Sequence, residues 1–287
     1  MKYSFLVYIF SFKNCLSFVI PINKRCSKNR VTPCKSLIDQ TLLPDVTTAL
    51  VTNGIGYYAL KNTNQTSLSE KGLVHSTFLG VGLMTFLKMS GYIFGVSYFI
   101  LGSLVTKIKF KQKKIEGIAE LNDGMREPKN VWGSAAIAML CAMNSYIFPE
   151  YSDIFKIGYV SSLSAKLTDT FQSEVGKAYG NNTFLITNFT KVSRGTEGAI
   201  SLEGTFSGFL GGIILILEAY KLNLINDFTS IVICFISSQF ATFCESYIGA
   251  TFQEKYLNNE IVNLINTFIA ALLAMILRVF FINNTYN

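Results

Sequence analysis

Apolar residues in this chain gather into long runs separated by short polar stretches. A helix that crosses a bilayer needs about 20 mostly apolar residues. Six runs reach or approach that length: residues 72–87, 91–107, 131–148, 205–220, 229–248 and 261–282. Two further runs, 45–60 and 152–167, are shorter and carry polar residues. The pattern predicts an all-α fold, a polytopic transmembrane bundle of about six to eight spans. A hydrophobic majority spread over so many runs exceeds what one soluble core uses, so lipid is the second apolar solvent.

The two weaker runs decide the topology. With eight spans, let the inner face be the one that carries residues 107–130. The run 131–148 then crosses outward and 152–167 crosses back. Three polar segments, 107–130, 166–204 and 245–260, then share the inner face, so polar motifs gather on one side. Without a crossing at 152–167, the first two segments lie on opposite faces and cannot cooperate.

Composition supports a membrane protein. Of 287 residues, 50% are hydrophobic and 15% are charged, against about 25% charged in ordinary soluble domains. Mean hydropathy is +0.36. The net charge of +7 concentrates in the first forty residues and in 107–114. Basic loops flanking apolar spans follow from the positive-inside rule, and no nucleic-acid partner is expected. The six cysteines lack CxxC spacing, so neither a zinc site nor a disulfide framework is indicated. His75, the single histidine, has no nearby acid other than Glu70 and reads as structural.

Residues 1–41 read as a leader. A short apolar stretch interrupted by Lys13 resembles a signal peptide, and residues 22–40, basic, hydroxylated and with only Asp39 as acid, resemble a transit peptide. A bipartite leader of that kind points to a plastid membrane, including a secondary plastid. A simple N-terminal anchor is the alternative. Residues 42–287 then form a single integral membrane domain.

Four polar clusters carry the candidate chemistry. The first, 111–134, holds Arg126 and Lys129, which suit an anionic ligand beside the membrane; a solvated basic loop anchored by Trp132 is the bland alternative. In the second, 166–180, a helix would place Lys166, Asp169, Ser173 and Lys177 near one face, with Glu174 beside Lys177. Charged groups at membrane depth are costly and mark function by default, although a structural ion-pair cluster uses the same residues. The third runs from Arg194 through Gly195, Thr196, Glu197 and Gly198 to Glu203. Its glycines allow close backbone approach, and the following helix start offers N–H groups to phosphate; a plain loop is the alternative, and no Walker pattern is present. The fourth places Glu245 at the end of an apolar run. Its Thr-Phe, Glu and Gly partly echo 170–176, as an internal duplication would.

The stretches KLTDTFQSEVGKAYG, SRGTEGAISLEGT, ESYIGATFQ and YLNNEIVNLIN, preceded by GIAE and VWGSAA, resemble the chloroplast and cyanobacterial phytyl-phosphate kinases. These belong to a wider family that includes transmembrane protein nineteen. The similarity runs in order from about Leu43 to Leu277. It departs at Asn122–Arg126, where the plant-like pattern is more basic. The resemblance implies phosphoryl transfer from a nucleoside triphosphate (CTP, UTP or ATP) to a prenyl monophosphate, giving a diphosphate for tocopherol and prenylquinone synthesis.

Phosphoryl transfer asks mainly for positioning and charge neutralisation. Asp169 and Glu174 are therefore expected to hold Mg²⁺, with Glu203 and Glu245 as further metal candidates. Lys166, Lys177 and Arg194 are expected to neutralise phosphates. Gly195, Thr196, Glu197, Gly198 and Arg126 are expected to contact the nucleotide. The prenyl tail stays in membrane lipid. A transporter or carrier of a prenyl lipid or phosphorylated metabolite is the rival reading, and a scaffold for other membrane enzymes is a third. Oligomeric state is not legible.

Overall fold

The computed structural model describes residues 42–62, 67–253 and 256–285; the leader reading for 1–41 lies outside them. The chain begins with helix α1 (Leu42–Lys61) and continues into α2 (Glu70–Thr106). Ser69 caps α2 through a hydrogen bond from Gly72 N at 3.0 Å. At Lys88 the backbone leaves helical values (φ 59°, ψ −161°), and the helix doubles back. A Cβ placed on Gly95 would lie 2.8 Å from Leu83 Cδ1. Residues twelve apart on a straight helix would stand about 18 Å apart. The runs 72–87 and 91–107 are thus two legs of one tight hairpin, with Lys88 at its outer tip.

A short helix, α3 (Phe110–Ile115), and a 3₁₀ turn (Leu121–Gly124) fill the inner loop before α4 (Pro128–Ile147). Pro128 at the first helical position and the reciprocal bonds of Glu127 and Asn130 fix the start of α4. After a turn at Pro149–Tyr151, α5 (Ser152–Tyr179) returns to the inner end. The run 152–167 is therefore a helix, and it extends through Tyr179, carrying the second polar cluster.

Beyond α5 the inner segment is more ordered than a plain loop. Strands β1 (Thr183–Leu185) and β2 (Ala199–Ser201) pair antiparallel, with Thr183 opposite Ser201. Helix α6 (Leu202–Lys221) runs outward, α7 (Phe228–Ile248) returns, and α8 (Asn259–Thr285) runs outward again. Asp227 caps α7, accepting from Ser230 N at 2.8 Å, and pairs with Arg278 of α8 at 2.9 Å. A turn of π-helix, Gly249–Gln253, follows α7.

Helix α5 is the axis of the bundle, packed against α2, α4, α6, α7 and α8. Its approach to α6 is close because α6 presents Gly204, Gly208 and Gly212 in a small-xxx-small row. A Cβ on Gly204 would fall 2.5 Å from Gln172 O, and one on Gly208 3.0 Å from Thr168 O. Among the described residues, α2, α6, α7 and α8 are long and apolar enough to cross a membrane. Helices α1, α4 and α5 fall short, and α5 is the one most enclosed by other helices. Ser161, Ser162 and Ser164 of α5 are fully buried. A helix enclosed by other helices does not need an apolar surface all round.

Residues 152–167 run back toward the inner end of the bundle. Gly133 at the start of α4 meets Glu260 at the start of α8, while Tyr159 on α5 donates to Gly91 O near the hairpin tip at 2.7 Å. The segments 107–130, 166–204 and 245–260 therefore lie at one end of the bundle.

Candidate active site at the inner end of the bundle

Lys166 is the hub of a buried polar centre built by α5, α7 and α8. Its ammonium donates to Asp169 Oδ2 at 2.5 Å, to Asn263 Oδ1 at 2.5 Å and to Glu245 Oε1 at 3.5 Å. Asp169 lies one turn along α5, as the i,i+3 spacing predicts. Glu245 comes from the inner end of α7 and also accepts from Asn266 Nδ2. Thr242 Oγ1 donates to Ala165 O at 3.3 Å, holding α7 against α5 one turn before Glu245. Asn266 Oδ1 is buried without a hydrogen-bond partner.

This centre supplies oxygen ligands from two carboxylates and two amides, the hard-donor set that suits Mg²⁺. Magnesium is commonly held by one or two carboxylates plus substrate phosphates, so the donors fit, and the unpartnered Asn266 oxygen adds a free ligand position. Among the described residues no group of three or more His, Cys, Asp and Glu side chains could hold a metal ion by itself. The present cation is Lys166 itself.

The structure divides the expected site. Glu174 is not beside Asp169; five residues further along α5, it turns to another side of the helix. It is buried and paired with Lys113 of α3 and, at 3.4 Å, with Lys177. Lys113 also donates to Thr106 O at 2.9 Å. Lys109 donates to Ala178 O at 3.2 Å and stands over the Tyr179 ring at 3.9 Å. Two lysines, Lys113 and Lys177, thus pair with one carboxylate at the inner end of α5, and Lys109 caps the end of that helix. The expected Asp169–Glu174 pairing is replaced by Asp169–Glu245, because α7 delivers its carboxylate to the same side as Lys166.

The glycine loop is anchored outside both centres. Arg194 Nη2 donates to both carboxylate oxygens of Glu116, at 2.9 and 3.0 Å. Gly195 packs on Ile118, and Thr196 bonds back to Ser193 O at 2.8 Å. Glu197 contributes to the electrostatic surroundings of Lys177. Gly198 has φ 73°, and a Cβ there would lie 2.6 Å from Ser246 O, so this glycine seats the loop on the end of α7. Glu203 accepts from Asn181 N at 3.3 Å and has no bond into the Lys166 centre. Arg126 lies under the α2 hairpin, its Nη1 3.4 Å from Tyr98 Oη.

Asn263, Asn266, Lys113 and Tyr98 were not singled out by sequence reasoning. Asn263 and Asn266 had a signal: two amides three apart, followed by Thr267, on a helix apolar enough to cross a membrane. His75 accepts from Trp132 Nε1 at 2.9 Å, the structural role its isolation predicted. Cys141, Cys234 and Cys244 are free thiols.

The fold and this buried centre define a polytopic helical integral membrane protein whose polar groups converge at one end. The chain belongs to the family described as integral membrane protein DUF92, whose sequence profile matches residues 52–271. It is 48% identical over 211 residues to an uncharacterized membrane protein of Synechocystis, covering 72% of this chain and 81% of that one. It is 38% identical over 226 residues to Protein VTE6, chloroplastic, of Arabidopsis thaliana, covering 76% and 68%. A Methanocaldococcus jannaschii uncharacterized membrane protein is 34% identical over 212 residues, covering 73% and 85%. No solved structure matches the chain. The family match contains Arg126, Lys166, Asp169, Glu245, Asn263 and Asn266.

Proposed function

We propose that the protein is a prenyl-phosphate kinase of a plastid membrane, with eight crossing segments and its chemistry at the inner interface. It transfers the γ-phosphoryl group of a nucleoside triphosphate, CTP first among the candidates, to phytyl or a related prenyl monophosphate. The likeness to the chloroplastic Arabidopsis protein and to the phytyl-phosphate kinase motifs supports this reading and its place in tocopherol and prenylquinone synthesis. The single observation that carries it is the Lys166 centre, an oxygen-rich, cation-bearing site buried where α5, α7 and α8 converge.

An oxygen of the acceptor phosphate attacks the γ-phosphorus, a P–O–P bond forms, and the bond to the β-phosphate oxygen breaks to release the nucleoside diphosphate. The acceptor is already an anion, so no strong general base is needed. Asp169, Glu245, Asn263 and Asn266 would hold Mg²⁺, which neutralises phosphate charge when bound. Lys166 neutralises charge on the transferred group. Lys177, held by Glu174, and Arg194, held by Glu116, stand at the aqueous side for the donor phosphates, with residues 195–198 beside them.

The test is direct. Purified full-length protein receives phytyl phosphate and CTP, UTP or ATP, with and without Mg²⁺. Formation of the diphosphate is expected; its absence with every nucleotide and prenyl phosphate tried sinks the kinase reading. A carrier is the second reading, favoured by one observation: Ser164, Thr168, Ser237 and Gln239 bury polar atoms without partners along the bundle interior, as a polar path would. Prenyl phosphate uptake into proteoliposomes without nucleotide would select it.

A further inference from the structure

One cavity lies away from the Lys166 centre. It measures about 200 Å³ and is enclosed by α1, both legs of α2 and α4, with Leu163 of α5 at its floor. Its walls are mainly apolar; Leu73, Leu83, Phe99 and Ala135 are among them. Arg126 and Asn130 stand at its inner end. Asn130 is committed, accepting from Glu127 N at 2.9 Å and donating to Glu260 at 3.3 Å.

Arg126 is different. Among the described residues no carboxylate pairs with it. Its guanidinium sits against the rings of Tyr98 and Phe99, 5.9 and 5.7 Å from their centroids. Its backbone is pinned, N to Ser67 O at 2.9 Å and O from Ser69 N at 3.1 Å, so the side chain starts from a fixed point. Gly102 makes room for it: a Cβ there would lie 3.0 Å from Nη2. A half-buried arginine without a counter-charge is costly, and guanidinium is shaped for two-pronged phosphate contact.

We infer that this cavity is the acceptor site, holding the first isoprene units of a prenyl monophosphate with its phosphate on Arg126. The inference rests on the kinase reading for its choice of lipid. A cavity of about 200 Å³ suits the first units of one narrow chain. The far end of the tail leaves past α1, whose exposed Leu50, Val51 and Ile55 face outward. Gly102 lies between the two sites: a Cβ there would be 3.0 Å from Arg126 Nη2 and 3.8 Å from Cδ1 of Leu167, the α5 residue that follows Lys166. A phosphate on Arg126 would therefore face the stretch of α5 that carries Lys166.

The experiment uses full-length protein in nanodiscs and radiolabelled geranylgeranyl monophosphate, with binding measured without nucleotide and turnover measured with it. Arg126→Ala should weaken binding and raise the acceptor KM by about tenfold or more, with the donor KM changed less than twofold; Arg126→Lys should recover part of the loss. In wild-type protein, a geranylgeranyl phosphate carrying a diazirine near its head should label residues of α2 or α4 that line the cavity. Equal displacement by dioleoyl phosphatidic acid would show a general anionic-phospholipid site and overturn the inference. So would unchanged binding in Arg126→Ala, or labelling confined to α6–α8. Arg126-dependent binding with no phosphoryl transfer from any nucleotide would instead overturn the kinase reading and leave the site standing.

Discussion

Two ion-paired regions at the inner end of the bundle differ in how they are held. The Lys166 centre is buried and rigid, assembled from three helices, and its partners on α7 and α8 lie 79 and 97 residues away in sequence. The Arg194–Glu116 pair joins two loops, and both side chains remain about one third exposed. Burial removes water from the first and sharpens every electrostatic contact in it. Solvent and salt screen the second. The difference teaches where to look for chemistry: the exposed pair can orient a loop, but only the buried centre can keep fixed dipoles and charges aimed at a reacting group.

The largest expected effect tests that contrast at its strong end. Asp169→Asn should lower turnover per folded molecule by about 10²–10³-fold. Unchanged turnover in a phosphoryl-transfer assay would remove Asp169 from the site. Glu174→Gln comes next and reads on stability. It leaves Lys113 buried without its counter-charge, at a cost of about 3–5 kcal/mol, seen as a fall in thermal midpoint. Combining Lys113→Met with Glu174→Leu should restore most of that loss, because an apolar pair of similar size is often neutral; no recovery would mean that the pair does more than hold the fold.

Arg194→Ala should change stability by no more than about 1 kcal/mol, and any effect on the donor KM should shrink as salt rises. A loss as large as that of Asp169→Asn would break the comparison. The smallest effect belongs to the outer end. Burial pushes the Asp227 carboxyl up, but the N–H and hydroxyl of Ser230 and the Arg278 guanidinium outweigh it and hold the group below the usual carboxylate range. A depressed folded-state value means that its stabilisation is complete above about pH 5 and is lost as pH falls below about 4. The thermal midpoint of wild-type protein should keep this contribution from pH 8 to about 5. Asp227→Ala, which also removes a helix cap, should lower the midpoint by about 1 kcal/mol equivalent throughout that range.

Much of this arrangement was legible in the residues. The apolar runs 205–220 and 229–248 lie within α6 and α7 and fall short of their ends by at most three residues. The spacing of Lys166 and Asp169 announced a shared face. The rest was hidden for physical reasons. Hydropathy reports exposure to lipid, so it undervalued α5, which meets protein on most sides. The tight reversal turns on a positive-φ lysine, Lys88, and its one glycine, Gly91, whose Cβ would fall 2.3 Å from Leu87 Cβ, opens an apolar run that reads as continuous helix. Glu245 and Glu174 echo each other in sequence, yet their partners come from α5 and α8 in one case and α3 in the other, and no local pattern encodes which. Asn263 and Asn266 stand out as amides in an apolar helix, but only the packing of α8 against α5 and α7 gives them Lys166 and Glu245 as partners.

The long sequence separation within the Lys166 centre has a consequence for synthesis. When α5 enters the membrane, its lysine has only Asp169 as a companion, since Glu245 and Asn263 have not been made. At about 5–20 residues per second, the wait for Asn263 is roughly 5–20 s. During that time a neighbour one turn away on the same helix keeps the ammonium from standing alone in the lipid. Asp169 is thus an escort during biogenesis before it is a member of the finished site. A variant that removes it should be retained longer by the insertion machinery than one that removes Glu245, a difference that pulse-labelling of the nascent chain would expose.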